Sequence, residues 1–348
     1  MYEEETLYSI PANINETDFL QAQLQFNIGN FFSRKIKSQV LIGRFTMDLG
    51  KRRLVARNSM RNTTNAFDGV SWTLAGDWDW TIRTFLTRPV LIDPYSLDTS
   101  SRLYFWGAYF ESKHFNRILM DAYYFGVHTL DVAVLRQRHT TVGIRLYKIP
   151  VPGAIDYEIE SAWQFGKSGT NDHFGHFQHG EIGFSFDAPW KPRLSLHFDY
   201  ASGDDDPEDD TSDRFNPLFG ARSFEYTPTG IYGPVYRSNI NTPGIRIALN
   251  PVGKFQVAAM YRAFWLASSR DLWVGSSLRD GTGQSGKSLG QNFDLRVRWN
   301  ANRYLALESG YAHFIKGSYL NRVPGGTGRE GSDYFFLATD IKAKLLPF

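Results

Sequence analysis

The chain has 348 residues, and its 38 Lys and Arg against 36 Asp and Glu leave a formal net charge of +2, so nothing global points to a nucleic-acid partner. No stretch approaches the roughly 18 uncharged apolar residues that a membrane-crossing helix needs. Aromatic residues make up 16% of the chain, Gly occurs 31 times and Cys is absent, a strand-rich and disulfide-free composition open to sandwiches, propellers and barrels alike.

Mean hydropathy is −0.36. A transmembrane barrel reads as water-soluble on such a scale, because half of every strand faces water. The start, Met1-Tyr-Glu-Glu-Glu-Thr6, has neither the basic nor the apolar region of a secretory leader.

In chain order, Leu20, Ala22, Leu24, Phe26 and Ile28 alternate with Gln21, Gln23, Gln25 and Asn27, which predicts a first strand. From Val40 to Leu49, Leu41, Phe45, Met47 and Leu49 fall on one face, and Ile42, Arg44, Thr46 and Asp48 on the other. A basic polar loop follows to about residue 66, with Arg52, Arg53 and Arg57. Val70, Trp72 and Leu74 mark a strand, Ala75-Gly-Asp77 a turn, and Trp78 to Leu86 the return, whose polar face takes Asp79, Thr81 and Arg83. Leu103–Phe110 is apolar on both faces. Strands with polar positions at Asp121, at Arg145, and at Asp156, Glu158 and Glu160 come next. Ile182, Phe184 and Phe186 then form a strand, and Leu194, Leu196, Phe198 and Tyr200 oppose Arg193, Ser195, His197 and Asp199. Ile245–Leu249, Phe255–Trp265, a hairpin over Gln291–Phe314 and Phe335–Leu345 complete about fifteen strands.

Connections near residues 29–38, 75–77, 111–117, 149–154, 187–193, 250–254 and 300–304 are short. Those near 50–66, 88–100, 126–139, 165–178, 201–240, 267–290 and 315–332 are longer, and the two kinds alternate. Short turns at one end and long loops at the other are the habit of an antiparallel up-and-down transmembrane β-barrel, whereas a Greek-key sandwich mixes them. On this reading residues 1–348 form one barrel domain, with 201–240 a long extracellular loop. Counting back makes the strand number odd and starts the chain outside. Bacterial barrels have even numbers and inward ends, so one or more strands and a signal peptide are expected upstream. The competing account is a miscount, with Thr6–Ile10 a weak strand or Leu103–Phe110 misread.

Several motifs recur in a fixed order. They are Gly43-Arg-Phe-Thr-Met-Asp-Leu-Gly-Lys-Arg-Arg-Leu-Val55, Ala66-Phe-Asp-Gly-Val70, Arg138-His-Thr-Thr-Val-Gly143, Asp199-Tyr-Ala-Ser-Gly-Asp204 and Phe215-Asn-Pro-Leu-Phe219. Together they resemble the alginate export family of outer-membrane barrels over nearly the whole chain. Gly220 stands where that family often has Pro, and the polar face here is mixed in sign. The resemblance implies a bacterial outer-membrane location, eighteen strands of which about three precede this sequence, and passage of a polyanionic exopolysaccharide through an arginine-rich lumen. Phe348 resembles the terminal aromatic read by the barrel-assembly machinery, although it is out of phase with Leu337, Thr339, Ile341, Ala343 and Leu345. The partners implied are membrane lipid and lipopolysaccharide, that machinery, an anionic polysaccharide and periplasmic export proteins, and no nucleic acid.

The expected pore-lining set is Arg44, Asp48, Arg52, Arg53, Arg57, Asp79, Arg83, Asp121, Arg145, Asp156, Glu158, Glu160, His197, Asp199, Arg262, Asp294, Arg296, Arg298 and Glu308. Guanidinium groups present a permanently charged fork to passing carboxylates, and rings of charge select ions. The competing account pairs each Arg with a neighbouring acid merely to satisfy a polar wall. Asp156, Glu158 and Glu160 lie about 6.8 Å apart in a column and need basic neighbours such as Arg145, or else make a cation or metal site.

Asp204–Asp210 carries six acids in seven positions but lacks the Gly and terminal Glu of a calcium loop. It reads as a solvated external loop bridged by divalent ions among lipopolysaccharide phosphates. Ser195, His197 and Asp199 share a face, yet spacing along one strand does not by itself bring nucleophile and base into contact. His173, His176 and His179 read as loop polar residues before metal ligands. Trp72, Trp78, Trp80, Trp163, Trp265 and Trp299 fall near strand ends on the apolar face, as an interfacial belt does. No enzyme activity, cofactor or metal is expected. The functional expectation is passive passage of a hydrophilic, anionic solute, against a weakly selective porin or a plugged structural or adhesive barrel.

Overall fold

The computed structural model of the chain describes residues 18–29, 35–57, 64–93, 95–115, 118–129, 137–221, 235–251, 253–326 and 331–342. Their backbone forms one 17-stranded sheet. Fifteen strands are long: β1 (Ala22–Gly29), β2 (Ile36–Phe45), β3 (Phe67–Gly76), β4 (Trp80–Leu91), β6 (Leu103–Phe115), β7 (Ile118–Thr129), β8 (Gln137–Tyr147), β9 (Ala154–Ser168), β10 (Asn171–Ser185), β11 (Arg193–Ala201), β13 (Ile240–Leu249), β14 (Phe255–Trp265), β15 (Ser288–Asn300), β16 (Leu305–Lys316) and β17 (Ser332–Ile341). β5 (Thr99–Ser100) and β12 (Thr211–Ser212) are two-residue pieces, and α1 (Ser318–Arg322) is the one helix named among the described residues. Phe348 and Thr6–Ile10 lie outside the described residues.

The chain divides into two compact units. One comprises Met1–Leu146, Ser161–His176 and Glu208–Phe224; the other comprises Tyr147–Glu160, Phe177–Pro207 and Glu225–Phe348. In the first unit β1 to β4 pair antiparallel in sequence order, and β4 then pairs with β6 and β6 with β7. In the second, β11 pairs with β13, and β13 to β17 follow one another in the same way. Short, mostly adjacent connections make this meander the natural result of alternating strands.

Burial alternates with period two, as a pleated strand requires, but the chemistry is inverted. On β11, Ser195, His197 and Asp199 are buried, while Leu194, Leu196 and Phe198 are 42%, 54% and 45% exposed. On β9, Asp156, Glu158 and Glu160 are buried between exposed Ile155 and Ile159; on β15, Asn292 and Asp294 are buried while Phe293 and Leu295 are exposed. Cross-strand register extends the apolar face into a row, Leu194 opposite Ile247, Ala259 opposite Leu295, and Tyr311 opposite Phe335. A sheet with one face on water and one on a protein core does the opposite, so this outer face is built for hydrocarbon.

The structure corrects two expectations. Residues 165–178 are not a loop. β9 and β10 run on until only Gly169 and Thr170 join them, because the alternation of Phe165 and Phe174 with Gln164 and His173 continues past the apparent end. Phe45, Met47 and Leu49 do not join the outer apolar face. They are 1%, 1% and 8% exposed, because Phe45 lies opposite the buried Phe67 on the inner face and the chain leaves the sheet after it, with Met47 and Leu49 packed inward.

If the outer face meets lipid, Leu295→Arg in the middle of β15 should cost roughly 2–4 kcal/mol in bilayer unfolding titrations. A change within about 0.5 kcal/mol, as for a water-exposed site, would contradict that face assignment.

Candidate functional site: the inner faces

In the first unit the inner face is largely aromatic. Phe67, Phe85, Phe105 and Phe125 are buried, with Phe105 5.8, 4.9 and 5.8 Å from the other three rings, and Tyr109 stacks on Tyr123 at 5.7 Å. Phe219, from the connection between β12 and β13, adds to this cluster at 4.8 Å from Phe105 and 5.3 Å from Phe67. Its segment pairs with the one after β2. Val55 and Phe219 form a parallel bridge, Phe219 N–H donates to the Leu54 carbonyl, and Ala56 N–H donates to the Phe219 carbonyl. Gln164 of β9 fastens the same segment by accepting from Asn216 N–H at 2.8 Å and donating to the Asn216 carbonyl at 2.8 Å. Two segments far apart in sequence thus form an inner layer.

Beside the aromatics lies a charged cluster. The Asp121 carboxylate accepts from Arg145 at 2.5 Å and from the Tyr109 hydroxyl at 2.6 Å, all three side chains being buried. Arg83 and Glu111 face the same way, Arg83 opposite Tyr109 and Glu111 opposite Asp121 in the registers of β4, β6 and β7.

In the second unit the inner face is a chain of ion pairs. Arg193 of β11 bridges Asp156 of β9 and Glu181 of β10. His197 Nδ1 lies 3.4 Å from Glu181, and its Nε2 lies 2.8 Å from Ser195 Oγ. Asp199 accepts from Arg262 at 2.8 Å and contacts His179 at 2.7 Å. Arg296 and Arg298 of β15 converge on Glu308 of β16, and Arg298 also reaches Asp340 of β17 at 2.6 Å.

Three of these pairs skip a strand, Arg298–Asp340 among them, and in the other two glycine opens the path. A Cβ on Gly183 of β10 would sit 2.4 Å from the Arg193 guanidinium that passes over it toward β9. A Cβ on Gly244 of β13 would sit 2.5 Å from Arg262 Cγ, on its way from β14 to Asp199 of β11.

Of the expected residues, Asp121, Arg145, Asp156, Glu158, Glu160, His197, Asp199, Arg262, Asp294 and Glu308 are buried on inner faces, and Arg83, Arg296 and Arg298 are half-buried there. Arg44 is not with them. It shares a face with Ile42, which is 45% exposed on the outer side, and binds Asp18 and Asp68 at 3.0 and 2.8 Å. Asp79 is an exposed turn residue with φ of 51°, because β4 begins at Trp80. Asp48 lies beyond the end of β2 and pairs with Arg52 at 2.5 Å; Arg53 is buried, and Arg57 is exposed, with its backbone N–H donating to Asp48.

Arg145, the expected partner of the Asp156 column, is taken by Asp121, and Arg193 serves Asp156 instead. His173 and His179 lie on the inner face of β10 and His176 on the other, so the three do not converge; no group of three or more metal-ligating side chains occurs among the described residues. Ser195 and His197 do come into hydrogen-bond contact, yet Ser195 is 1% exposed, which leaves no approach for an acyl substrate. Glu111, Glu181, Arg193, Arg246 and Asp340 were absent from the expected set. Their alternation with apolar neighbours was the available signal.

Antiparallel meander, outward hydrocarbon face and inward charge define a transmembrane β-barrel of the bacterial outer membrane. The model of the alginate export family matches residues 3–331, and the chain belongs to that family. Among solved structures it is similar to Pseudomonas aeruginosa OccK2 (OpdF) in complex with glucuronate, at 11% identity and a TM-score of 0.59 over 92% of this chain and 80% of that one. It is also similar to OccK11 (OpdR), at 12% and 0.56 over 87% and 76%, and to OprD, at 12% and 0.54 over 87% and 75%, both from the same organism. At such identities the likeness is one of fold. No curated protein sequence matches the chain.

Gly244→Val should displace Arg262 and take the guanidinium from the buried Asp199 carboxylate, leaving it His179, a loss of about 3 kcal/mol. Gly253→Val, where a Cβ meets nothing within 4 Å, should change little in the same urea titration.

In the connection between β14 and β15, hydrogen bonds from Thr282 and Ser285 hold the Asp280 carboxyl well below the usual carboxylate range. A depressed folded value means that its stabilisation is complete above the unfolded value of about 3.9 and fades only as pH falls through the lower folded one. Hydrogen exchange at Thr282 and Ser285 should therefore stay slow down to about pH 4. Asp280→Ala should speed it above about pH 4, where the carboxylate's contribution is complete.

Proposed function

We propose that the protein is an outer-membrane channel through which a hydrophilic, anionic solute passes passively, with uronate-bearing saccharides, an alginate-like exopolysaccharide among them, as the solute class. The observation that carries this reading is the inverted alternation, which spends the costly burial of charge on inner faces while leaving apolar side chains outward. Membership in the alginate export family and the fold shared with a protein solved in complex with glucuronate both support uronate chemistry. Arginine supplies the matching recognition, since its fork accepts a carboxylate through two parallel hydrogen bonds.

A weakly selective porin is the second reading. It is favoured by the many inner carboxylates that neutralise these arginines, such as Glu308 between Arg296 and Arg298. The inner layer around Phe219 favours a plugged barrel to the extent that it fills its unit. Membrane lipid, lipopolysaccharide, the assembly machinery and periplasmic export proteins are the partners that go with this location.

Planar bilayers separate the readings. An anion-selective channel gives steady conductance and a reversal potential on the anion side in a salt gradient, and Arg296→Gln with Arg298→Gln moves it toward the cation side. An unshifted potential in a conducting double variant removes those two residues from the path. Absence of conductance favours the plugged barrel.

A further inference from the structure

The inner wall formed by β13 to β16 holds a cavity of about 210 Å³, lined by Arg246, Ala248, Gln256, Ala258, Arg296 and Arg298 among others. Register explains its shape. Ala248 lies opposite Ala258 and Ala258 opposite Arg296, so two methyl groups form a floor between charged rims. Gln256 opposite Arg298, with Arg298 opposite Glu308, forms one rim. Arg246, two residues before Ala248 on the same face, forms the other.

The three guanidinium groups differ in their commitments. Arg296 and Arg298 are held by Glu308, and Arg298 also by Asp340. Arg246 feels the charges of Glu181, Asp294, Arg296 and Arg193, but among the described residues none of these comes within ion-pair distance and it makes no hydrogen bond. A half-buried guanidinium with five N–H donors and no protein acceptor is a site prepared for an oxyanion.

We infer that this cavity seats one uronate residue, its carboxylate on Arg246, its ring over Ala248 and Ala258, and its hydroxyls toward Gln256 and Arg298. The volume corresponds to about seven water molecules at a liquid share of roughly 30 Å³ each, room for a single sugar-sized anion. A bare phosphate would satisfy Arg246 but leave the methyl floor and the carboxamide unused. The assignment rests on the channel reading for its solute class, while the seat itself is a binding property measurable without transport.

The test is calorimetric titration of the detergent-solubilised full chain with glucuronate, glucose and inorganic phosphate at low salt, where screening is least. Glucuronate should bind, glucose should not, and phosphate should bind more weakly than glucuronate. Arg246→Gln should weaken glucuronate roughly tenfold or more, as the loss of a charge-assisted donor does. The variant gives up no hydrogen bond within the protein, and a matched thermal transition verifies that it folds. Arg303→Gln, in the exposed turn against the Tyr304 ring, serves as the charge-matched control and should bind as the unaltered chain does.

Equal affinity of Arg246→Gln for glucuronate overturns the seat, and phosphate binding as tightly as glucuronate overturns its sugar class. Liposome uptake of glucuronate separates the two claims. Uptake with unchanged affinity in Arg246→Gln removes the seat and leaves the channel. Arg246-dependent binding without uptake removes the channel and leaves the seat.

Discussion

Charge that is taken out of water must be paired, and in this protein that requirement organises the inner faces. The outer faces hand apolar side chains to lipid at almost no cost, which leaves the polar half of every strand to be settled within the protein. Where donor and acceptor lie on neighbouring strands, as with Arg298 and Glu308, the register alone brings them together. For Arg193 with Asp156 and Arg262 with Asp199, which lie two strands apart, the strand between yields space. Gly183 and Gly244 do this, each occupying the inner-face position over which an arginine passes. Glycine weakens a strand by leaving it without a side chain to pack, a cost accepted here because an unpaired Asp156 or Asp199 would cost more.

The same requirement is met by two different chemistries. The second unit satisfies its inner face with alternating acids and bases, so that Arg193, Glu181 and His197 form a continuous chain. The first satisfies much of its own by removing polarity. Phe67, Phe85, Phe105 and Phe125 pack on one another, and the backbone brought in with Phe219 finds its hydrogen bonds on Leu54, Ala56 and Gln164. Aromatic rings at 4.8 to 5.8 Å add stacking energy to simple burial, so this inner layer is held by packing more than by charge.

Much of this was legible in the sequence because strand periodicity is strict. Leu194-Ser-Leu-His-Phe-Asp199 announces its two faces residue by residue, and the strand number follows from repeating that reading. What failed did so for physical reasons. Arg44 was placed inward because it is charged, although sharing a face with Ile42 already pointed outward; a strand end tolerates a cation there when Asp18 and Asp68 attend it. Phe45, Met47 and Leu49 looked like lipid-facing residues because they are apolar, and nothing local reveals that Phe45 lies opposite the buried Phe67 on the inner face or that the chain leaves the sheet after it. The pairing of Arg193 with Asp156 was hidden for the same reason. Its permission is written in a glycine on a third strand, and a glycine in an alternating run looks like a gap rather than an instruction.

Selectivity in such a wall cannot be read from totals. Acids on the inner face of the second unit answer nearly every arginine, and a paired guanidinium presents little field to a passing solute, since its fork is already filled and its charge offset. What a solute meets is the residue left over once the internal pairs are made. Arg246 is such a residue. Its cross-strand neighbour is Met260, which offers no carboxylate, and the next strand's Asp294 engages Asn292 instead. A wall of mixed sign can therefore still recognise an anion, provided that one cation is denied its internal partner and set at the rim of a space that fits the guest.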